Sequence, residues 1–153
     1  MKKNPFLKAE KTVIKKVYGN TAVIKFNVKK KTYSIETGAF TETLYSFYRQ
    51  VFIKNPHEIA DAIVDGKNFI KGDLTTEIAY QELVDAIKPM PDDPILPESK
   101  DITDHRRVNT RNGGIEEGDT LEFDGTEYRI VKITPKNFYA GVPSRLKLQM
   151  RSL

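Results

Sequence analysis

A chain of 153 residues, 39% apolar and 30% charged, can bury a core of its own, about 70% of the unfolded surface at this size. It holds no cysteine and two histidines, His57 and His105, which excludes a disulfide scaffold, a cysteine nucleophile, an iron–sulfur cluster and a thiolate zinc site. The net charge is +4, and no apolar run reaches the ~18 residues a spanning helix needs.

Met1-Lys2-Lys3-Asn4-Pro5 has no apolar run behind it, so no secretory leader is expected. Residues 1–10 lack a period and predict an arm. Thr12–Tyr18 and Thr21–Val28 are β-branched and aromatic, with Gly19-Asn20 between them as a turn. In the second run Ile24, Phe26 and Val28 alternate with Lys25 and Asn27, the signature of a half-buried strand. Lys29-Lys30-Lys31 reads as a solvated turn before a short strand, Thr32–Glu36, ended by Gly38. A barrel portion at 1–40 is therefore expected to be a basic arm plus strands.

Residues 41–88 predict a block of about three helices. Thr41 is a cap, Phe40 and Tyr45 sit at the positions of a hydrophobic staple, and Leu44, Phe47, Tyr48, Val51 and Phe52 recur at helical spacing. Asn55, Pro56 and Glu58 form a second start signal, with Ile59, Ala60 and Ile63 as its stripe and Gly66 as its stop. The third helix runs from Thr75 or Thr76 to Lys88, with Ile78, Ala79, Leu83, Ala86 and Ile87 as its stripe. Residues 89–114 predict an extended connection. Pro89, Pro91, Pro94 and Pro97 forbid a helix or inner strand there, and an Arg-rich loop follows with Arg106, Arg107 and Arg111. This segment and residues 1–10 have the composition of chain that orders against a partner.

Residues 115–153 carry the clearest pattern. Asp119–Phe123 and Thr126–Ile133 flank Asp124-Gly125, a preferred hairpin turn. A loop over Thr134–Pro143 precedes a last strand, Ser144–Leu153, with Leu146, Leu148 and Met150 inward and Lys147, Gln149 and Arg151 outward.

Charge is unevenly spread. Residues 1–38 hold ten Lys against two Glu, and residues 39–100 hold eleven acids against six bases. A basic part beside an acidic part points to an acidic partner, nucleic acid or a neighbouring subunit, or to a solvated sheet face. Lys29, Lys30, Lys31, Arg106, Arg107 and Arg111 are the candidate contacts with DNA or a partner, since lysine and arginine pair with phosphate and carboxylate. Tyr18, Phe26 and Tyr33 lie among lysines, as in a single-strand binder, but such aromatics more often fill a core. Asp101, Asp104 and His105 lie in expected loop without a nucleophile motif, and Asp92-Asp93 falls short of a calcium ligand set. Gly113-Gly114 lacks the spacing of a phosphate loop. No catalytic residue, metal site or cofactor is therefore expected, and the chain is not expected to be an enzyme.

The segment from Gly114 to Ile133 reads Gly118-Asp119, apolar strand, Asp124-Gly125, then Tyr128-Arg129 and a second apolar strand. Together with the final Leu/basic alternation over Ser144–Arg151 it resembles the small β-barrel of head–tail connector proteins of tailed bacteriophages, the head-closure or stopper group. Asp104, Arg106, Arg107, Val108 and Thr110 are similar to the polar run before that hairpin. The resemblance covers about 50 residues. It implies an SH3-like barrel in an α+β chain with the helical block inserted or flanking. It implies a structural virion protein, assembled in the host cytoplasm, docking in a ring of copies between portal or adaptor and tail proteins, with non-specific contact to packaged DNA and none to membrane. The alternative is a small SH3-like nucleic-acid-binding or regulatory protein.

Overall fold

The computed structural model describes residues 4–58, 63–64, 67–68, 72–97 and 101–153. It is an α+β fold, mostly antiparallel sheet with short helices. A helix, α1 (Leu7–Val13), runs into a π-helical turn at Ile14–Tyr18. Two 14-residue strands follow, β1 (Asn20–Tyr33) and β2 (Phe40–Ile53). Short strands β3 (His57–Glu58), β4 (Ile63–Val64) and β5 (Lys67–Asn68) precede β6 (Leu74–Ala79). Helices α2 (Tyr80–Ala86) and α3 (Asp104–Arg107) come next, then β7 (Thr120–Phe123), β8 (Thr126–Lys136) and β9 (Arg145–Ser152). The main sheet is ordered β2-β1-β7-β8-β9-β6-β3, and Ile53 of β2 also pairs with Ile78 of β6. The chain of pairings therefore returns on itself.

The inward faces supply the core. Ile24, Phe26 and Val28 of β1 meet Phe47, Val51 and Ile53 of β2, Leu121, Ile130, Leu146, Leu148 and Met150. The Phe26 and Phe47 rings stack with centroids 4.7 Å apart. The C-terminal hairpin forms as its turn residues dictate: Asp124 and Gly125 both take positive φ, 51° and 78°, as a two-residue turn of this kind requires. Leu146, Leu148 and Met150 are fully buried, as the alternation predicts. The loop expected from Thr134 is shorter, because β8 continues to Lys136.

The helical block expected over 41–88 is not what these residues form. Residues 41–53 lie in β2, 75–79 lie in β6, and only Tyr80–Ala86 is helical. The reason is legible in β2. Phe47, Val51 and Ile53 alternate inward, but Leu44, Tyr48 and Phe52 are apolar on the outward face. With apolar residues on both faces, a period of two and a period of 3.6 fit the same letters, and pairing with β1 along its whole length decides. The second expected helix falls largely on 59–62 and 65–66, outside the described residues, and the described part of that region is strand at β3 and β4.

At the N-terminus the exchange runs the other way. Lys8, Ala9, Glu10 and Lys11 favour helix, so the arm and the expected first strand become α1 and its π-helical continuation. Gly19, at φ 63°, is the left-handed end of that helix and not a hairpin turn. Lys29–Lys31 is likewise not a turn. It lies within β1, and the reversal comes at residues 34–39, where Gly38 N–H donates to Ser34 O at 2.9 Å.

Residues 88–97 and 101–115 cover the core where β1 and β2 leave it. Leu96, Ile102 and Ile115 are buried, so these segments contribute core side chains. Gly114 makes their tightest approach. Its φ is 94°, and a Cβ there would sit 3.0 Å from Arg106 O and press on Ile87 Cδ1. Gly114→Ala is therefore expected to lower stability by about 1–3 kcal/mol, whereas Gly118→Ala has open space around it and carries only the φ penalty. Urea denaturation of the two variants checks the ranking.

Candidate functional site

The feature that departs most from a closed domain is the β1–β2 hairpin. Core packing ends at the pair Val28–Tyr45, yet pairing continues through Lys29–Leu44, Lys30–Thr43, Lys31–Glu42, Thr32–Thr41 and Tyr33–Phe40. Five pairs extend the ribbon by roughly 15 Å. Among the described residues β1 meets β7 only at Val23–Lys25, and β2 meets β6 only at Ile53. Both edges of the outer ribbon therefore have no described strand beside them.

The two faces of this ribbon differ. The face continuous with the core carries Lys30, Thr32, Thr41 and Thr43. The outward face carries Lys25, Lys29, Lys31 and Tyr33 from β1, paired across to Tyr48, Leu44, Glu42 and Phe40 from β2. Tyr33, Phe40, Leu44 and Tyr48 are 54%, 72%, 55% and 58% exposed. The Tyr33 and Phe40 rings lie 5.0 Å apart in a tilted contact, and Lys25 Nζ stands 6.0 Å from the Tyr48 centroid. Lys29 is 3.9 Å from Glu42, an open and loose pair. Ile35, 89% exposed, sits at the tip.

The two clusters of candidate contacts have separate fates. Lys29, Lys30 and Lys31 lie on the ribbon, split between its faces. Arg106 is buried at 3% exposure and is not a contact for DNA or a partner. Its guanidinium holds both oxygens of Asp119, with Nη1 2.9 Å from Oδ2, donates to Gly114 O at 2.7 Å, and lies 5.5 Å from the Phe26 centroid. The Asp119 carboxylate also accepts from Glu116 N–H at 2.9 Å and from Asn27 N–H at 3.4 Å. Burial pushes this carboxyl up to about 6, against the pull of Arg106 and the two backbone donors. The arginine thus joins α3 and the Gly114 turn to the first residue of the hairpin and to β1. Arg107 donates to Ile87 O at 3.1 Å and faces Asp104 at 3.6 Å, and Arg111 is exposed in the following loop.

A second buried arginine gave no signal in sequence. Arg49, 6% exposed, points inward from β2. It donates to Ala86 O (2.9 Å), Lys88 O (2.8 Å) and Tyr48 O (2.8 Å), and grips both oxygens of Asp93 at 2.7 and 2.6 Å. These bonds hold the Asp93 carboxyl below its ordinary value. Asp93, considered for a cation, is an arginine's partner. Phe40, Leu44 and Tyr48 were also missed as surface residues. They recur every four residues, a spacing that shares one face of a strand as well as of a helix, and it was read as a helix.

Among the described residues no group of three or more His, Asp or Glu side chains is placed to hold a metal, and no helix is long and apolar enough to cross a membrane. No protein-family model matches the chain, and no curated protein matches it significantly.

Proposed function

We propose that this chain is a structural assembly part built on an SH3-like barrel: a virion protein at the head–tail junction of a tailed phage, docking in a ring between portal or adaptor and tail proteins. The single observation that carries the assembly reading is the outer ribbon. A two-stranded ribbon with no third strand is marginal in water, and its free edges are templates for pairing with another chain. Extending one five pairs past the core, with Ile35 and Phe40 exposed at its tip, makes sense where a neighbour receives it. Strand addition at such an edge gives affinity through main-chain hydrogen bonds and needs no catalytic group. The barrel reading is supported by the return of pairings from β6 to β2. The head–tail placement is supported by the resemblance of the C-terminal hairpin and last strand.

Replacing residues 30–43 by Asn-Gly leaves the Lys29–Leu44 pair joined by a two-residue turn and the core intact. This variant is expected to fold with an unchanged midpoint in urea and to lose incorporation into particles. Crosslinking mass spectrometry on the intact protein in its producing cells should join residues 29–44 to portal, adaptor or tail proteins and to further copies. Normal incorporation of the shortened variant would overturn the ribbon's role, and crosslinks chiefly to transcription or translation proteins would overturn the virion reading.

A further inference from the structure

We propose that the outward face of the β1–β2 ribbon is a binding site for single-stranded nucleic acid. This does not depend on the assembly reading, since strand addition uses the ribbon's edges and leaves this face open.

The argument is the pairing of two chemistries on one flat surface. Side chains on one face of a strand recur about every 7 Å. On β1 they are Lys25, Asn27, Lys29, Lys31 and Tyr33, and across from them on β2 are Tyr48, Ser46, Leu44, Glu42 and Phe40. Lysine ammoniums therefore run along one strand, while exposed aromatic rings stand at both ends of the face, Tyr48 towards the barrel and the Tyr33–Phe40 pair towards the tip. A single strand of nucleic acid has the same composition, with charged phosphates along one side and unpaired bases on the other. Bases stack on aromatic rings without regard to sequence, and phosphates are met by a positive track. An apolar protein partner would cover the rings but strip water from Lys25, Lys29 and Lys31; the carboxylates beside them are Glu42 across the ribbon and Glu116 and Glu117, which line one hollow with Lys29 and Leu44 at the barrel end. Duplex DNA would satisfy the lysines but keep its bases stacked inside, leaving Tyr33, Phe40 and Tyr48 unused. Arg106, buried under Asp119, takes no part.

The test is fluorescence anisotropy of the full chain with a labelled DNA or RNA single strand of about 12 nucleotides and with the matching duplex. Single strands are expected to bind at least tenfold more tightly than duplex. Tyr33→Ala, Phe40→Ala and Tyr48→Ala should each weaken single-strand binding roughly five- to hundredfold. With three phosphates neutralised, log K should fall against log salt with a slope of about −2, and Lys29→Gln or Lys31→Gln should each reduce it by about 0.7. All five side chains are on an exposed face, and an unchanged circular dichroism spectrum confirms that the variants fold. Equal affinity for duplex and single strand, binding indifferent to the three aromatic changes, or no binding at low salt would each overturn the proposal. So would ribbon-face variants that alter self-association while leaving oligonucleotide binding untouched.

Discussion

Asp119→Ala is expected to lower the stability of the folded chain by about 3–5 kcal/mol, because it leaves the Arg106 guanidinium buried without its counter-charge. The two side chains are 3% and 2% exposed, so water cannot take the carboxylate's place. Arg106 cannot relieve the loss by giving up its proton. The reverse variant, Arg106→Met, is expected to be milder, because a carboxylate has that escape. Asp119 then keeps its bonds from Glu116 and Asn27 N–H, but its main cationic partner is gone, so its pKa rises beyond about 6. In that variant the folded state holds a proton over a range where the unfolded carboxyl, with an ordinary value of 3.8, has lost it. Stability should therefore fall as the pH rises from that value through the raised one. Urea midpoints at mildly acidic and mildly basic pH measure both effects. Equal losses in the two variants would show that the pair acts through packing alone.

Arg49→Ala carries a loss of similar size, about 3–5 kcal/mol, through a different link of the fold. It frees the carbonyls of Ala86 and Lys88 and removes the fork that holds Asp93. Arg49→Lys is expected to recover little, since one ammonium cannot span two carbonyls and a carboxylate with the geometry of a planar fork. Hydrogen exchange should show new opening over residues 86–97 before the sheet itself opens. The wild-type pair also sets an acid limit. Arg49 holds the Asp93 carboxyl below 3.8, so this contribution is complete above that value and is lost as pH falls through the lower folded one. In Asp93→Asn that part of the acid sensitivity should disappear, which acid titration followed by circular dichroism would detect.

How far the chain could be read in advance differs by segment. The turn of the C-terminal hairpin and the inward row of the last strand were legible, because Asp124-Gly125 permits one kind of turn and Leu146, Leu148 and Met150 alternate with polar residues; the extension of β8 to Lys136, its bulge at Ile130–Lys132 and the burial of Gln149 against Asp73 were not. The inward row of β1 was legible from the same alternation. Lys29–Lys31, read as a turn, belonged to the strand, because exposed lysines suit a solvated ribbon as well as they suit a loop.

The candidate site was half visible. The lysines and Tyr33 stood out in sequence, but the aromatics opposite them were assigned to a helix. Nothing local could place Phe40 beside Tyr33 or Tyr48 beside Lys25, because those neighbours are created by antiparallel pairing. Composition, the absence of cysteine, the turn chemistry and the alternating strands were set by the amino acids themselves. The identity of β2 as a strand, the burial of Arg49 and Arg106, and the gathering of lysines and rings on one face were decided only in the folded chain. An arginine reads as a surface cation until a carboxylate distant in sequence is brought against it, and a run of apolar residues on both faces has no period until a neighbouring strand covers one of them.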